Sequence, residues 1–250
     1  MNNSSRPLAG KIAIVTGGSR SIGAAIARRL AADGATVAIT YNASPERAQA
    51  VVQEIASAGG QAIALAADAG YPEAVRAAVG EVASRFGKID ILVNNAGISL
   101  LGAPQEFSFE DFQRILAVNV TGVFVATQEA LRHMGQGGRI IHIGSSVTHY
   151  VGLATASAYT LTKGAVTGFT RGLVRDLGPL GITVNTVHPG PTDSDMNPVD
   201  GPVADLFLPS IALGRYGEGK DVANAVAFLA SADAEFISGA ELMVDGGFTA

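Results

Sequence analysis

Short runs dense in β-branched and aliphatic residues, at 11–16, 36–41, 61–66, 89–93, 139–143, 182–187 and 242–244, alternate with longer alanine-rich stretches. Those stretches lie near 21–32, 45–58, 72–86, 108–133, 157–178 and 219–231. No other feature restricts the fold so strongly. In the stretch at 45–58, Ala48, Val51, Val52, Ile55 and Ala56 recur at helical spacing. The runs Ile12-Ala13-Ile14-Val15 and Ile91-Leu92-Val93 are apolar on both faces, as strands are when helices cover both sides of a parallel sheet. Repeated right-handed β-α-β units then give a doubly wound α/β fold with seven parallel strands. No repeat, linker or low-complexity segment divides the 250 residues, so one domain spanning 1–250 is expected.

Composition narrows the function. Hydrophobic residues are 48%, enough for a sizeable core, and charged residues only 16%, against ~25% in an average soluble domain. The 31 glycines point to tight turns and close backbone approaches. Lys+Arg 17 against Asp+Glu 22 gives −5, so neither the basic stripe of a nucleic-acid binder nor a polybasic membrane anchor is present. With Cys 0 there is no disulfide framework and no thiolate chemistry. The first residues lack the apolar segment of a secretory leader, and no apolar run approaches the ~18 residues of a membrane span. A cytoplasmic protein without nucleic-acid or membrane partners is expected.

The first run ends in Thr16-Gly17-Gly18-Ser19-Arg20-Ser21-Ile22-Gly23, and a helical stretch follows at once. A glycine turn between strand and helix offers free backbone N–H groups and the positive end of a helix dipole, a site for a pyrophosphate. After the second run comes Tyr41-Asn42-Ala43-Ser44, with no carboxylate before Glu46. A carboxylate there would bind the ribose of NAD and repel a 2′-phosphate. Arg20 in the turn can pair with that phosphate, and Asn42 and Ser44 can add hydrogen bonds. The reading is NADP(H) over NAD(H).

Tyr159-Thr-Leu-Thr-Lys163 puts a phenol and an ammonium at i and i+4 on one helix face. Lowering a tyrosine pKa from ~10 toward ~7 takes about 4 kcal/mol. A unit charge ~4 Å away at an effective dielectric of ~20 supplies about that much. Such a lysine can turn the tyrosine into a proton donor near neutral pH. Ser145 and Ser146 end the fifth run, 14 and 13 residues before Tyr159, where α/β sheets place their sites. Asn119 interrupts an apolar helical stretch and must be hydrogen-bonded if buried. His133, His142 and His149 have no ligand-like spacing, and no metal site is expected.

These motifs, in this order, resemble those of the short-chain dehydrogenase/reductase family in its single-domain branch. The resemblance covers nearly the whole chain: the glycine turn, Asp68, Asn94-Asn95-Ala96-Gly97, Asn119, Ser146, Tyr159 with Lys163, Pro189-Gly190, and Val244-Asp245-Gly246-Gly247. The turn resembles the family's T-G-x₃-G-x-G, except that Ser21 takes the place of the middle glycine. It implies a Rossmann-type sheet and a catalytic set of Asn119, Ser146, Tyr159 and Lys163. Ser146 is selected by its place 13 residues before the tyrosine, which leaves Ser145 as a turn residue. Asn119 would hold a water in a proton relay to Lys163. The implied cofactor contacts are Gly17, Ser19, Arg20, Ser21, Ile22, Gly23, Tyr41, Asn42, Ser44, Asp68, Ala69, Asn95, Ala96, Gly97, Tyr159, Lys163, Pro189, Gly190 and Thr192. The implied reaction is hydride transfer between NADP(H) and a carbonyl carbon, interconverting a ketone and a secondary alcohol, in a homotetramer.

The expected substrate walls, Ile98–Leu101 and Val147–Leu153, are mostly apolar, which suits an uncharged ketone. The proline- and glycine-rich stretch 189–216 is too long for an ordinary connection and reads as a substrate lid. Its inner side is expected to offer Met196, Leu206, Phe207 and Leu208. The chain is also similar to the 3-oxoacyl-[acyl-carrier-protein] reductases, but Gln136 and Leu180 stand where those carry docking arginines. A non-catalytic NADP-binding regulator would not need Tyr159 and Lys163 together. An extended sugar-nucleotide epimerase would need a longer chain, and a Rossmann methyltransferase would lack the Tyr-x₃-Lys pair. For the tetramer, Ala126, Ala130, Ala165 and Gly168 are expected to keep interface helix faces shallow.

Overall fold

The computed structural model describes residues 6–250; residues 1–5 of the expected domain lie outside the described residues. Its strands are β1 (Ile12–Val15), β2 (Thr36–Tyr41), β3 (Gln61–Ala66), β4 (Ile91–Asn94), β5 (Arg139–Ile143), β6 (Thr183–Pro189) and β7 (Glu241–Val244). They form one seven-stranded sheet in the order β3-β2-β1-β4-β5-β6-β7, parallel at every pairing. The helices are α1 (Ser21–Ala32), α2 (Pro45–Ser57), α3 (Pro72–Phe86), α4 (Phe109–Leu116), α5 (Gly122–Leu131), α6 (Ser157–Leu177), α7 (Ala204–Phe207) and α8 (Gly219–Ala230).

Two apolar layers hold the sheet. On one face Ile26, Leu30, Val51, Ile55 and Val226 of α1, α2 and α8 pack on Val15, Val37 and Ile39. On the other, Val79, Val82, Val125, Leu173 and Leu177 of α3, α5 and α6 pack on Ile14, Leu92 and Ile140. Successive strand residues therefore feed opposite layers, which is why β1 and β4 read as unbroken apolar runs. Fully burying each such side chain contributes about 1.5–3 kcal/mol. Chain order reverses between β1 and β4, and a crevice opens there beyond the C-terminal strand ends.

The stretch expected as a helix at 108–133 is two helices joined by a π-turn at Ala117–Thr121. Ser108 caps α4 by accepting from Asp111 N at 3.0 Å. Ala126 and Ala130, expected at a subunit interface, are 1% and 0% exposed and pack in the core instead. Ala165 and Gly168 are exposed, as expected. No helix among the described residues is long and apolar enough to cross a membrane.

Candidate active site

A cleft of about 1240 Å³ runs along the crevice. Every residue expected to contact the cofactor lines it, from the glycine turn through Asp68 and Gly97 to Thr192. Gly17 takes a left-handed φ of +65°, and its N–H donates to Thr40 Oγ1 at 3.1 Å. A Cβ on Gly23 would collide with the Gly17 carbonyl oxygen, so α1 can start this close to β1 only with glycine there. Asn95 fastens the turn from below. Its Nδ2 donates to the carbonyls of Thr16 and Gly17 at 2.9 and 3.0 Å. The first turn of α1, with its unpaired N–H groups, thus faces a roomy cleft with no acidic side chain of its own. These features fit a dinucleotide phosphate.

Ser21, where the family has glycine, takes a φ of +48°, a left-handed conformation that costs about 1–2 kcal/mol for a residue with a side chain. Ser21 does not cap α1; Arg20 is the N-cap residue. Its hydroxyl instead donates to Asp195 Oδ1 at 3.1 Å and accepts from Asp195 N at 3.1 Å. Arg20, expected free for a phosphate, pairs with Asp195 Oδ2 at 3.1 Å. Arg47 reaches the same oxygen at 2.6 Å. Asp68 does not cap α3, whose N-cap residue is Tyr71. Its carboxylate joins two loops, accepting from Gly70 N at 2.8 Å and from Asn42 Nδ2 at 3.0 Å.

At the other end of the cleft, α6 presents Tyr159 and Lys163. The Lys163 ammonium lies 5.8 Å from the Tyr159 ring centroid and donates to the Ile143 carbonyl at 2.9 Å. Burial lowers Lys163 to about 8. Burial also raises the Tyr159 phenol above its ordinary value, against the opposing hydrogen bond from Ser145. The spacing alone predicts that the lysine drives the phenol down; desolvation is the larger effect, because it acts on phenol and ammonium alike. Tyr159 therefore stands protonated at neutral pH.

The serine whose hydroxyl acts on the Tyr159 phenol, lowering its pKa, is Ser145, while Ser146 lines the same cleft beside it. Ser146 is 4% exposed and opens the tight turn after β5, its carbonyl accepting from His149 N at 2.9 Å and Tyr150 N at 3.0 Å. Behind Ser145 stands His188, fully buried, which nothing in its sequence context marks as a site residue. His188 Nδ1 donates to the Ser145 carbonyl oxygen at 2.9 Å, and His188 Nε2 lies 3.6 Å from Glu241 Oε2. Burial holds His188 below the usual histidine range, with Ser145 and Glu241 opposing. A Cβ on Gly144 would fall 2.5 Å from His188 Nδ1, so the glycine before the serine pair lets this ring back the strand end.

Asn119, 1% exposed, sits in the π-turn. Its side chain accepts from Ile98 N at 2.9 Å and donates to Ile98 O at 2.9 Å and Thr162 Oγ1 at 3.1 Å. The amide thus ties the strand-end loop carrying Gly97 to the helix carrying Lys163. His142, 0% exposed and held near 3 chiefly by burial, stacks on Phe169 as a neutral packing group.

The substrate end is lined by Ser99, Leu101, Val147, Tyr150, Met196 and Phe207 among others. Phe207 meets Phe248 at 5.7 Å, and Phe248 meets Tyr150 at 5.3 Å. Phe248, near the C-terminus, carries no sequence signal that would place it at the site. Leu206 and Leu208, expected on the lid's inner side, are 54% and 41% exposed and do not line the cleft; the short α7 turns only Phe207 inward. The stretch 189–216 is partly built: Thr192 bridges to Gly217, and Ser194 to Asn197.

A family profile described as enoyl-(acyl carrier protein) reductase matches residues 17–249. A cyclic-di-GMP-binding biofilm dispersal mediator protein of Escherichia coli is 42% identical, over 96% of this chain and 98% of that protein. A versicolorin reductase of Emericella nidulans is 40% identical, over 96% of this chain and 96% of that protein. A crystal structure of a short-chain dehydrogenase from Burkholderia cenocepacia in complex with NADP is 54% identical. It covers 98% of this chain and 100% of its own, with a TM-score of 0.96. The chain belongs to the short-chain dehydrogenase/reductase family.

Proposed function

We propose that the protein is a cytoplasmic NADP(H)-dependent ketoreductase that interconverts an uncharged ketone and a secondary alcohol. One observation carries this reading: Ser145, Tyr159 and Lys163 line the same cleft that the glycine turn opens into. The NADP complex of the Burkholderia cenocepacia relative supports the choice of cofactor. When bound, NADP(H) supplies or accepts the hydride. The turn from Gly17 to Gly23, with Arg20, would hold its phosphates, and Gly97 and Thr192 would line its site. Ser145 donates to the ketone oxygen and fixes its place, while Tyr159, protonated by virtue of its burial, delivers the proton to that oxygen. Lys163 supplies the positive charge that steadies the developing phenolate. Asn119 and His188 position rather than react.

The apolar walls around Phe207, Phe248 and Tyr150 favour an aromatic or alicyclic ketone over an anionic one. NADPH consumption, followed by its absorbance, with a panel of ketones tests this; no turnover with any of them overturns it. The profile of kcat/KM for reduction is expected to fall as pH rises through about 8, because Lys163 loses its charge there. A flat profile between about pH 7 and 9, either side of that value, contradicts the role given to Lys163. By likeness to its family the protein is a homotetramer, and the exposed small residues Gly164, Ala165 and Gly168 on α6 favour a close helix contact. A monomer in light scattering overturns that assembly.

A further inference from the structure

Three donors from two distant elements converge on one lid carboxylate. Asp195 Oδ2 accepts from Arg20 at 3.1 Å and from Arg47 at 2.6 Å. Asp195 Oδ1 accepts from Ser21 at 3.1 Å, and the Asp195 N–H donates back to the Ser21 hydroxyl at 3.1 Å. Arg20 and Ser21 belong to the glycine turn, Arg47 to the first turn of α2, and Asp195 to the segment after β6. These contacts hold the Asp195 carboxyl below its ordinary value, the Arg47 bond most of all. The arrangement is an anion site, with a carboxylate from the protein itself standing in it. Two guanidiniums and a hydroxyl form the donor set that a phosphate monoester seeks. Arg47 also sits at a helix N-terminus, where the dipole favours negative charge.

We propose that Arg47 is a second reader of the 2′-phosphate of NADP(H), paired with Arg20, and that Asp195 is its built-in competitor. This rests on the NADP(H) reading above. A cofactor bearing the phosphate must displace the carboxylate from both arginines, whereas NAD(H) carries nothing that can take its place. Ser21 then has a reason to stand where the family has glycine: its hydroxyl binds the displaceable group from both sides, at the cost of a left-handed backbone. Arg47 selects for the phosphate, and Asp195 sets how much of that selectivity is realised as affinity.

The test is calorimetric binding of NADP+, NAD+, 2′,5′-ADP and 5′-AMP to the full chain, without turnover. Arg47→Ala is expected to weaken NADP+ and 2′,5′-ADP about 10-fold or more, leaving NAD+ and 5′-AMP unchanged. Asp195→Asn is expected to tighten NADP+ and 2′,5′-ADP about 2- to 5-fold, again sparing the unphosphorylated pair. Both side chains are exposed, and unchanged melting temperatures will confirm intact folding. If the wild type binds NADP+ no better than NAD+, the cofactor reading falls and this one with it. If the wild type prefers NADP+ but Arg47→Ala leaves that preference intact, only the Arg47 clamp is overturned. If Asp195→Asn weakens NADP+ instead, Asp195 is a supporting residue and the competitor is overturned.

Discussion

Replacing Tyr159 by phenylalanine is expected to lower ketone reduction about 10²- to 10⁴-fold, the range that a positioned general acid contributes. The substitution removes one oxygen and leaves the ring where α6 holds it, so the NADP+ dissociation constant should stay at its wild-type value. The donor role proposed for the phenol rests on its surroundings. Burial raises its pKa, so the proton is in place at neutral pH and leaves only when the carbonyl oxygen becomes basic. Lys163→Ala should behave differently. It removes the bond to the Ile143 carbonyl, 2.9 Å away, together with a charge lining the cleft, so turnover and cofactor affinity should fall together. Steady-state rates with the best ketone, set beside calorimetric titration of NADP+, separate the two cases. A Tyr159→Phe variant at wild-type rate would overturn the proposed chemistry.

The strands and helices are legible because burial on two faces leaves a periodic trace. Ile12 to Val15 must be apolar throughout to sit between two helical layers, and the helices that cover them bury apolar residues at helical spacing. The cleft is legible for a related reason: in a doubly wound sheet the site lies at the strand ends beside the chain reversal, which places the glycine turn at Gly17, while Asp68, Gly97 and Thr192 are placed by the family resemblance. Tertiary pairing leaves no such trace. Ser21 and Asp195 are 174 residues apart, and no local pattern marks an exposed aspartate in a loop as the partner of a turn serine. Arg47 looks like any helix-surface cation. Asn119 is recognisable as a polar group in an apolar stretch, but its clamp on Ile98 exists only once the loop after β4 folds against α6. The direction of the phenol's pKa is hidden for the same reason: the spacing of Tyr159 and Lys163 reports their proximity and says nothing of the desolvation both undergo.

The choice between the two serines shows this limit at a single position and gives a sharp test of it. Counting back from Tyr159 selects Ser146, but the segment between them contains a tight turn and the start of α6, and one residue more or less in such a connection is invisible to counting. The structure favours Ser145, whose hydroxyl acts on the phenol and whose carbonyl accepts from His188 Nδ1 at 2.9 Å. Ser145→Ala should lower turnover about 10²- to 10³-fold, as does loss of one preorganised donor to a developing oxyanion. Cofactor binding should be unaffected, since the hydroxyl faces the ketone. Ser146→Ala should leave turnover at the wild-type level, because its hydroxyl is not the one that acts on the Tyr159 phenol. A double-mutant cycle with Tyr159→Phe sharpens the comparison: Ser145 and Tyr159 act on one oxygen, so their losses should be far from additive, while those of Ser146 and Tyr159 should be independent. The reverse ranking, with Ser146→Ala inactive and Ser145→Ala near wild type, would restore the assignment made by counting and sink the geometry of the site described above.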